Sequence, residues 1–351
     1  MRVEELDTPA LILDLDSFEE NLKRYQDYFD SHAISLRPHI KTHKCVAMAH
    51  MQLKQGAIGI TCQKVSEAEV MVAGGLDGDV LIPFNVIGRQ KLERLMALAS
   101  RARVTVAADS EYTVNGLSSA AIGHDARIGV IVELYQGRTG VLTPALAVEL
   151  GKRIDESPGL ELRGIMIMPA PPTVRPFLQE VISEFDKAGL PYPIVSGGST
   201  PSAFTAHEIP ELTEFRAGEY PVGGIKHLSL GTHSVDQCAG RILATVVSRP
   251  SGDRAVIDAG SKSLSAATAE FNGQTVLGYV VEYPEAIFSG ASEEHGQIDL
   301  TLCTKKPEIG EQVQIILAHP CPGFNEHDSI YALRDGRVEA IWSVDARGSI
   351  R

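Results

Sequence analysis

Arg37-Pro38-His39-Ile40-Lys41-Thr42-His43-Lys44 decides how this chain is read. The octapeptide follows a short apolar run with strand character, Ala33-Ile34-Ser35-Leu36, and precedes Cys45-Val46-Ala47-Met48-Ala49, where a helical pattern begins. Lys41 is thus expected where a strand ends. Imidazoles flank it in sequence, and Lys44 adds a second cation. Such neighbours disfavour an ammonium and would lower the lysine pKa toward that of an amine nucleophile, the condition for a Schiff-base lysine. A basic strand-to-helix loop that binds an anion is the other reading of these residues.

On both sides of this stretch, apolar runs alternate with amphipathic segments. Asp16-Ser17-Phe18-Glu19 reads as a helix start, with Phe18, Leu22, Tyr25 and Phe29 on one face. Candidate strands are Ala33-Leu36, Ala57-Cys62, Asp79-Phe84, Arg103-Ala107, Arg127-Leu134, Leu160-Met168, Pro193-Ser196 and Leu212-Arg216. Between them lie helical patterns over Ser66-Gly74, opening with a Ser66-Glu67-Ala68-Glu69 capping box, Arg89-Ser100, Pro144-Glu156 and Val174-Ala188. Eight strands alternating with helices over roughly 200 residues predict a TIM-type (β/α)8 barrel, with an open doubly wound sheet as the structural alternative. After about Ala239 helical periodicity gives way to β-rich runs: Arg241-Ser248, Asp253-Asp258, Thr275-Glu282, Gln312-Leu317 and a hairpin turning at Asp335-Gly336. The expected organisation is a barrel over residues 16–238 and an all-β domain over 239–351, joined by residues 1–15.

Composition excludes several functions. The 351 residues are 44% hydrophobic and 22% charged, which suits a soluble globular protein with room for a large core and two domains. A net charge of -13 argues against nucleic acid or an anionic membrane as partner and favours a small ligand. The acidic start and the lack of a long apolar run predict a cytoplasmic protein. Five cysteines (Cys45, Cys62, Cys238, Cys303, Cys321) without CxxC spacing do not read as a disulfide framework.

Two further stretches carry chemistry. Ser196-Gly197-Gly198-Ser199-Thr200-Pro201, at the end of the seventh strand, combines glycines and hydroxyls in a way that can form a cup of backbone amides for a phosphate; an ordinary glycine turn is the alternative. With a strand-end lysine, such a cup points to pyridoxal phosphate, whose aldehyde needs an amine and whose phosphate needs donors. His319-Pro320-Cys321 ends a later strand, where the period of two puts imidazole and thiol on one face, able to share a divalent cation; a structural histidine beside a buried cysteine is the alternative.

Taken with Ser66-Glu67-Ala68-Glu69-Val70, Gly198-Ser199-Thr200-Pro201, Thr213-Glu214-Phe215-Arg216-Ala217-Gly218-Glu219-Tyr220, Glu294-His295-Gly296 and His319-Pro320-Cys321, the opening octapeptide gives the chain its resemblance to the D-threonine aldolase and D-serine dehydratase-like family along nearly its whole length. The resemblance implies a fold-type III pyridoxal-phosphate enzyme similar to alanine racemase, with the active site at the interface of a homodimer. It implies that Lys41 carries the cofactor, that Gly198, Ser199, Thr200 and Tyr220 bind its phosphate, and that Arg138 lies near its ring. It also implies that His319 and Cys321 hold a divalent metal (Mn, Mg, Zn or Co). Two stretches depart from the pattern. Met166-Ile167-Met168-Pro169-Ala170-Pro171-Pro172 replaces an expected Thr-His-Ala-Gly-like segment with apolar residues, and Pro221-Val222-Gly223-Gly224 stands where aromatic and acidic residues are usual.

The implied reaction is retro-aldol cleavage of a β-hydroxy-D-amino acid to glycine and an aldehyde, with His43 the candidate base for the β-hydroxyl. The alternative is dehydration of D-serine or 3-hydroxy-D-aspartate to a 2-oxo acid and ammonia. A racemase would need a second acid/base and no metal. A non-catalytic pyridoxal-phosphate carrier resembles a lone barrel, so the β domain and the His319/Cys321 pair argue against it.

Overall fold

The structure, a computed structural model, describes residues 1–351. Strand β1 (Ala10–Asp14) leads into helix α1 (Leu15–Ser31), whose first turn is capped by Asp14: its Oδ1 accepts the Ser17 amide at 2.8 Å. The helix therefore starts before the Asp16 expected from sequence, because the strand-end Asp14 keeps the extended backbone from which a carboxylate reaches back to a first-turn amide. Phe18, Leu22, Tyr25 and Phe29 are all buried, as their periodicity requires.

Strands β2 (Ser35–Leu36), β3 (Ile60–Thr61), β4 (Asp79–Asn85), β5 (Arg103–Ala108), β6 (Ile128–Leu134), β7 (Leu160–Ile167), β8 (Ile194–Gly198) and β9 (Glu214–Arg216) form a parallel sheet in the order β2-β9-β8-β7-β6-β5-β4-β3. Its ends meet through a parallel bridge between His39 and Thr61, with the Thr61 amide donating to Pro38 O at 2.7 Å, so the sheet curls into the (β/α)8 barrel expected from the eight sequence runs. Leu81, Ala107, Ile131 and Met166, from adjacent strands, make one buried layer. The intervening helices are α2 (Val46–Gln55), α3 (Val65–Ala73), α4 (Arg89–Ala99), α5 (Glu111–Gly123), α6 (Pro144–Asp155) and α7 (Arg175–Ala188).

Two details differ from the sequence reading. Helix α3 begins at Val65, so Ser66 sits inside the first turn; Glu67 does the capping, accepting the Gln63 amide at 2.5 Å and the Lys64 amide at 3.3 Å. Helix α5 escapes a periodicity search because its Gly-, Ser- and Ala-rich sequence has little polar contrast. It is specified by Ser110, whose Oγ accepts the Thr113 amide at 3.4 Å, and by a buried face of Val114, Leu117 and Ala121.

The chain packs as two compact units: Tyr25–Lys41, Val46–Gly218 and Ser349–Arg351 in one, Met1–Arg24, Thr42–Cys45 and Glu219–Gly348 in the other. The second unit contains β10 (Gly240–Ser251), β11 (Arg254–Ile257), β12 (Ala269–Phe271), β13 (Gln274–Val276), β14 (Gly278–Val280), β15 (Ile287–Ala291), β16 (Gly296–Asp299), β17 (Gln312–Leu317), β18 (Ser329–Arg334) and β19 (Arg337–Ser343), with short helices α8 (Ile225–Ser229), α9 (Ser261–Leu264) and α10 (Pro320–Asn325). Its main sheet runs β11-β16-β15-β14-β17-β10-β1-β18-β19, and β10 also pairs with β11, closing an antiparallel barrel. Strand β1 lies antiparallel to β10 and parallel to β18. Asp335 (φ 50°) and Gly336 (φ 69°) make the expected tight turn between β18 and β19. Residues 219–238, which follow the barrel in sequence, pack with the β unit: Ile225 and Cys238 share a buried cluster with Val276, Ile316 and Ala318. No helix is long and apolar enough to cross a membrane.

Candidate active site

In the barrel unit, the residues singled out from sequence lie just past the C-terminal ends of strands, the face where catalytic groups of such barrels gather. Lys41, half-buried, occupies a 3₁₀ turn (Ile40–Thr42) after β2. His39 beside it is buried; its Nε2 pairs with Gln63 Oε1 at 3.0 Å and its Nδ1 receives the Lys41 amide at 3.4 Å. Burial, and then the Lys41 charge, push the His39 imidazole well below its usual pKa, so this ring is neutral and Nε2 carries the proton.

Gly198 ends β8. A Cβ there would sit 3.0 Å from Met168 Cγ and 3.3 Å from the Arg216 carbonyl, so a side chain would crowd the turn. Ser199 follows at φ 101°, a conformation that non-glycine residues rarely hold and that tends to persist at functional sites. Its amide donates to Arg216 O at 3.2 Å, and Thr200 Oγ1 accepts the Gly218 amide at 3.1 Å. Arg138 lies exposed in the loop after β6. Beneath these groups Arg216 is buried, its Nε donating to Ser196 Oγ at 2.8 Å and its Nη2 to Ile167 O at 3.0 Å. Burial lowers this guanidinium to about 10 against the opposing pull of Glu214 and Glu133, and it stays charged at neutral pH. Glu133, whose pKa is raised by burial, accepts the Thr139 hydroxyl at 2.9 Å.

A hydrogen-bonded chain supports Arg216 from below. Ser196 Oγ donates to Glu214 Oε1 at 2.8 Å; Glu214 Oε2 accepts Arg37 Nε at 2.9 Å; Arg37 Nη1 reaches Asp79 Oδ1 at 2.9 Å. Arg37, part of the opening octapeptide, is thus a buried structural cation.

In the β unit, Glu219, His319 and Cys321 present a carboxylate oxygen, an imidazole nitrogen and a sulfur all within 4.8 Å of one another. His319 Nε2 is 2.9 Å from Glu219 Oε1, and the Cys321 thiol donates to the same oxygen at 3.4 Å. The other oxygen, Oε2, faces His227 Nε2 at 2.8 Å. His227 is fully buried, with its Nδ1 3.2 Å from Thr232 Oγ1. Burial pushes the Glu219 carboxyl up, but hydrogen bonds from His227 and His319 outweigh it and hold the carboxyl well below the usual range. Oxygen, nitrogen and sulfur donors at this spacing fit a divalent cation and leave room for one more oxygen ligand. Thr42 Oγ1 lies 3.1 Å from Cys321 Sγ, and Lys44 Nζ donates to Asn325 Oδ1 at 2.9 Å. His43 is buried in the same unit, and its Nδ1 accepts the Cys45 amide at 3.1 Å. That bond occupies the Nδ1 lone pair, so proton exchange by His43 runs through Nε2. Tyr220 is buried in this unit, its carbonyl 3.0 Å from His233 Nε2.

Sequence reasoning did not single out Glu219, His227 or Arg216. Glu219 stands about a hundred residues before His319, with no spacing that marks a shared site. Its only signal was an acidic residue inside the Arg216-Ala217-Gly218-Glu219-Tyr220 motif.

A parallel barrel with functional side chains at its strand ends, followed by an antiparallel β barrel, is the architecture of fold-type III pyridoxal-phosphate enzymes. Profile comparison agrees: residues 13–225 match the alanine racemase N-terminal domain, and residues 239–333 match a putative serine dehydratase domain. The chain is 34% identical to a D-threonine aldolase from Arthrobacter sp over 99% of its own length and 94% of the relative's. A 3-hydroxy-D-aspartate aldolase from Paracoccus denitrificans (strain Pd 1222) is 32% identical over 98% of this chain and 93% of that protein. Among solved structures, D-threonine aldolase from Filomicrobium marinum superimposes with a TM-score of 0.91 at 34% identity, covering 99% of this chain and 98% of that one. D-threo-3-hydroxyaspartate dehydratase from Delftia sp. HT23 gives 0.87 at 26% identity, covering 97% and 98%. The chain belongs to the D-threonine aldolase and D-serine dehydratase-like family of pyridoxal-phosphate-dependent lyases.

Proposed function

We propose that this protein cleaves β-hydroxy-D-amino acids between Cα and Cβ, releasing glycine and an aldehyde. The observation that carries the reading is the Glu219, His319 and Cys321 donor set, because a divalent cation held there serves a β-hydroxyl and has no use in simple α-proton exchange. When bound, pyridoxal phosphate supplies an electron sink for the pair released at Cα, and a divalent cation lowers the pKa of the β-hydroxyl.

The chain's own residues do the rest. Lys41 holds the cofactor through its amine and exchanges a proton at Cα. The turn at Gly198, Ser199 and Thr200 offers backbone and hydroxyl donors to the phosphate, with Tyr220 assigned to the same group. Gly198 and the positive φ of Ser199 let this turn pack closely on Met168 and Arg216, which fixes the backbone that would meet the phosphate. Arg138 and Arg216 place positive charge at the strand ends. Glu219, His319 and Cys321 hold the cation, and the thiolate favours Zn or Co over Mg. His43 is assigned as the base for the β-hydroxyl, exchanging its proton through Nε2 because Nδ1 is engaged by the Cys45 amide. No disulfide joins any of the five cysteines, in keeping with a reducing cytoplasmic setting, and we assign a homodimer as the working form.

A second reading, elimination of hydroxide to give a 2-oxo acid and ammonia, is supported by the likeness to the Delftia dehydratase and uses the same residues. Which bond breaks depends on which substrate bond is held perpendicular to the cofactor ring, a matter of about an ångström. The test is a product assay on the metal-loaded holoenzyme with D-threonine, D-serine and 3-hydroxy-D-aspartate. Glycine with an aldehyde supports cleavage; ammonia with a 2-oxo acid overturns it in favour of dehydration.

A further inference from the structure

A cavity of about 380 Å³ opens beside the donor set within the β unit, and Glu219 and His319 form part of its wall. Helix α8 contributes Lys226 and strand β12 contributes Glu270, while Ala269 and Ala318 keep that part of the wall small. The helix is tied to the strand by Ser229 Oγ, which donates to Glu270 O at 2.9 Å.

The charges on this wall are unequally satisfied. Glu219 is already engaged by His227 and His319, and the Glu270 carboxylate accepts the Thr275 hydroxyl. Lys226 lies exposed on the cavity wall and forms no ion pair or hydrogen bond with any side chain. The cavity therefore offers one uncommitted ammonium on the wall it shares with the residues assigned to the metal.

We propose that this cavity receives the β-substituent of the substrate, and that Lys226 selects a substituent ending in a carboxylate, as in 3-hydroxy-D-aspartate. The proposal rests on the metal-dependent lyase reading above. A β-hydroxyl directed to Glu219, His319 and Cys321 sends the rest of the β-carbon's substituents into the adjoining space. There a methyl group meets the small or apolar side chains of Ala269, Ala318 and Leu230, whereas a carboxylate meets Lys226. A hydrogen bond to a charged partner separates the two substrate types by about 10- to 100-fold.

The experiment compares kcat/KM for 3-hydroxy-D-aspartate and D-threonine in the holoenzyme and in its Lys226→Met and Lys226→Arg variants. The expected result is that Lys226→Met lowers the ratio of the two values by about 10- to 100-fold and Lys226→Arg restores most of it. A ratio that moves less than about threefold overturns the proposal. Binding supplies a readout independent of turnover. D-malate and 3-hydroxybutyrate are the deamino forms of the two substrates, and calorimetry on the metal-loaded protein should find D-malate tighter, with the difference lost in Lys226→Met. Equal affinity for both in the unaltered protein also overturns the proposal. If neither amino acid is turned over, the lyase reading has failed, while the D-malate measurement still decides what the cavity selects.

Discussion

Replacing Arg37 by methionine tests the internal support of the barrel side of the site. Arg37 and Glu214 are each about 3% exposed and meet at 2.9 Å, with Asp79 on the other arm of the guanidinium. Methionine fills much of the volume but leaves the buried Glu214 carboxylate without its direct ion-pair partner, keeping the Ser196 hydroxyl and the more distant charge of Arg216. Removing one partner of a buried pair costs about 3–5 kcal/mol. For a unit the size of this barrel that corresponds to a fall in melting temperature of about 6–20 °C. Glu214→Gln in the same chain removes the stranded charge, so the double variant should recover more than half of the loss. Urea unfolding followed by circular dichroism, with a calorimetric scan, measures both. A loss under about 1 kcal/mol for Arg37→Met, or a double variant no better than the single, would refute the idea that this pair is a desolvated support for Ser196 and Arg216.

Three other outcomes are expected. Lys41→Ala should abolish the visible absorbance of lysine-bound cofactor, and a band that survives would mean another lysine carries it. Joint replacement of His319 and Cys321 by alanine should leave that absorbance but remove bound metal and metal-dependent turnover, and Glu219→Gln should weaken metal affinity by at least about 10- to 100-fold in a chelator competition. Because the folded-state pKa of Glu219 is depressed, its contribution to stability is fully present above the unfolded value of about 4.3 and is lost as pH falls toward the folded value. In metal-free protein the stability advantage of wild type over Glu219→Gln should therefore shrink as pH drops from about 5 to 3. Melting curves that keep a constant gap over that range would show that the carboxylate is not held by its histidine partners.

The parts of the site that lie on one short stretch were legible from sequence, and the parts assembled from distant stretches were not. Lys41 is marked by the basic loop around it, and His319 and Cys321 by their residue types. The strand alternation expected to align that pair is absent: β17 ends at Leu317, and His319 caps α10 while Cys321 lies in its first turn. Glu219 comes beside His319 and Cys321 only because residues 219–238 pack with the β unit, and His227 matters only because its ring reaches a carboxylate eight positions back. The octapeptide gave no sign of what its other residues do: Arg37 is a buried support and His39 is held neutral by burial. For His43 the tertiary structure adds that Nδ1 accepts the Cys45 amide, which assigns proton exchange to Nε2.

By itself the sequence determined the architecture. Eight short apolar runs separated by amphipathic segments, followed by β-rich runs without helical period, have few ways to bury their apolar faces other than a (β/α)8 barrel and a β domain. It also determined which lysine, which glycine-rich turn and which His-x-Cys pair to watch. Only the tertiary structure brought Glu219 beside His319 and Cys321, held the His39 ring neutral by burial and left Lys226 without a side-chain partner. Each of these depends on desolvation and on partners brought together from far apart in the chain, and neither is encoded in local pattern.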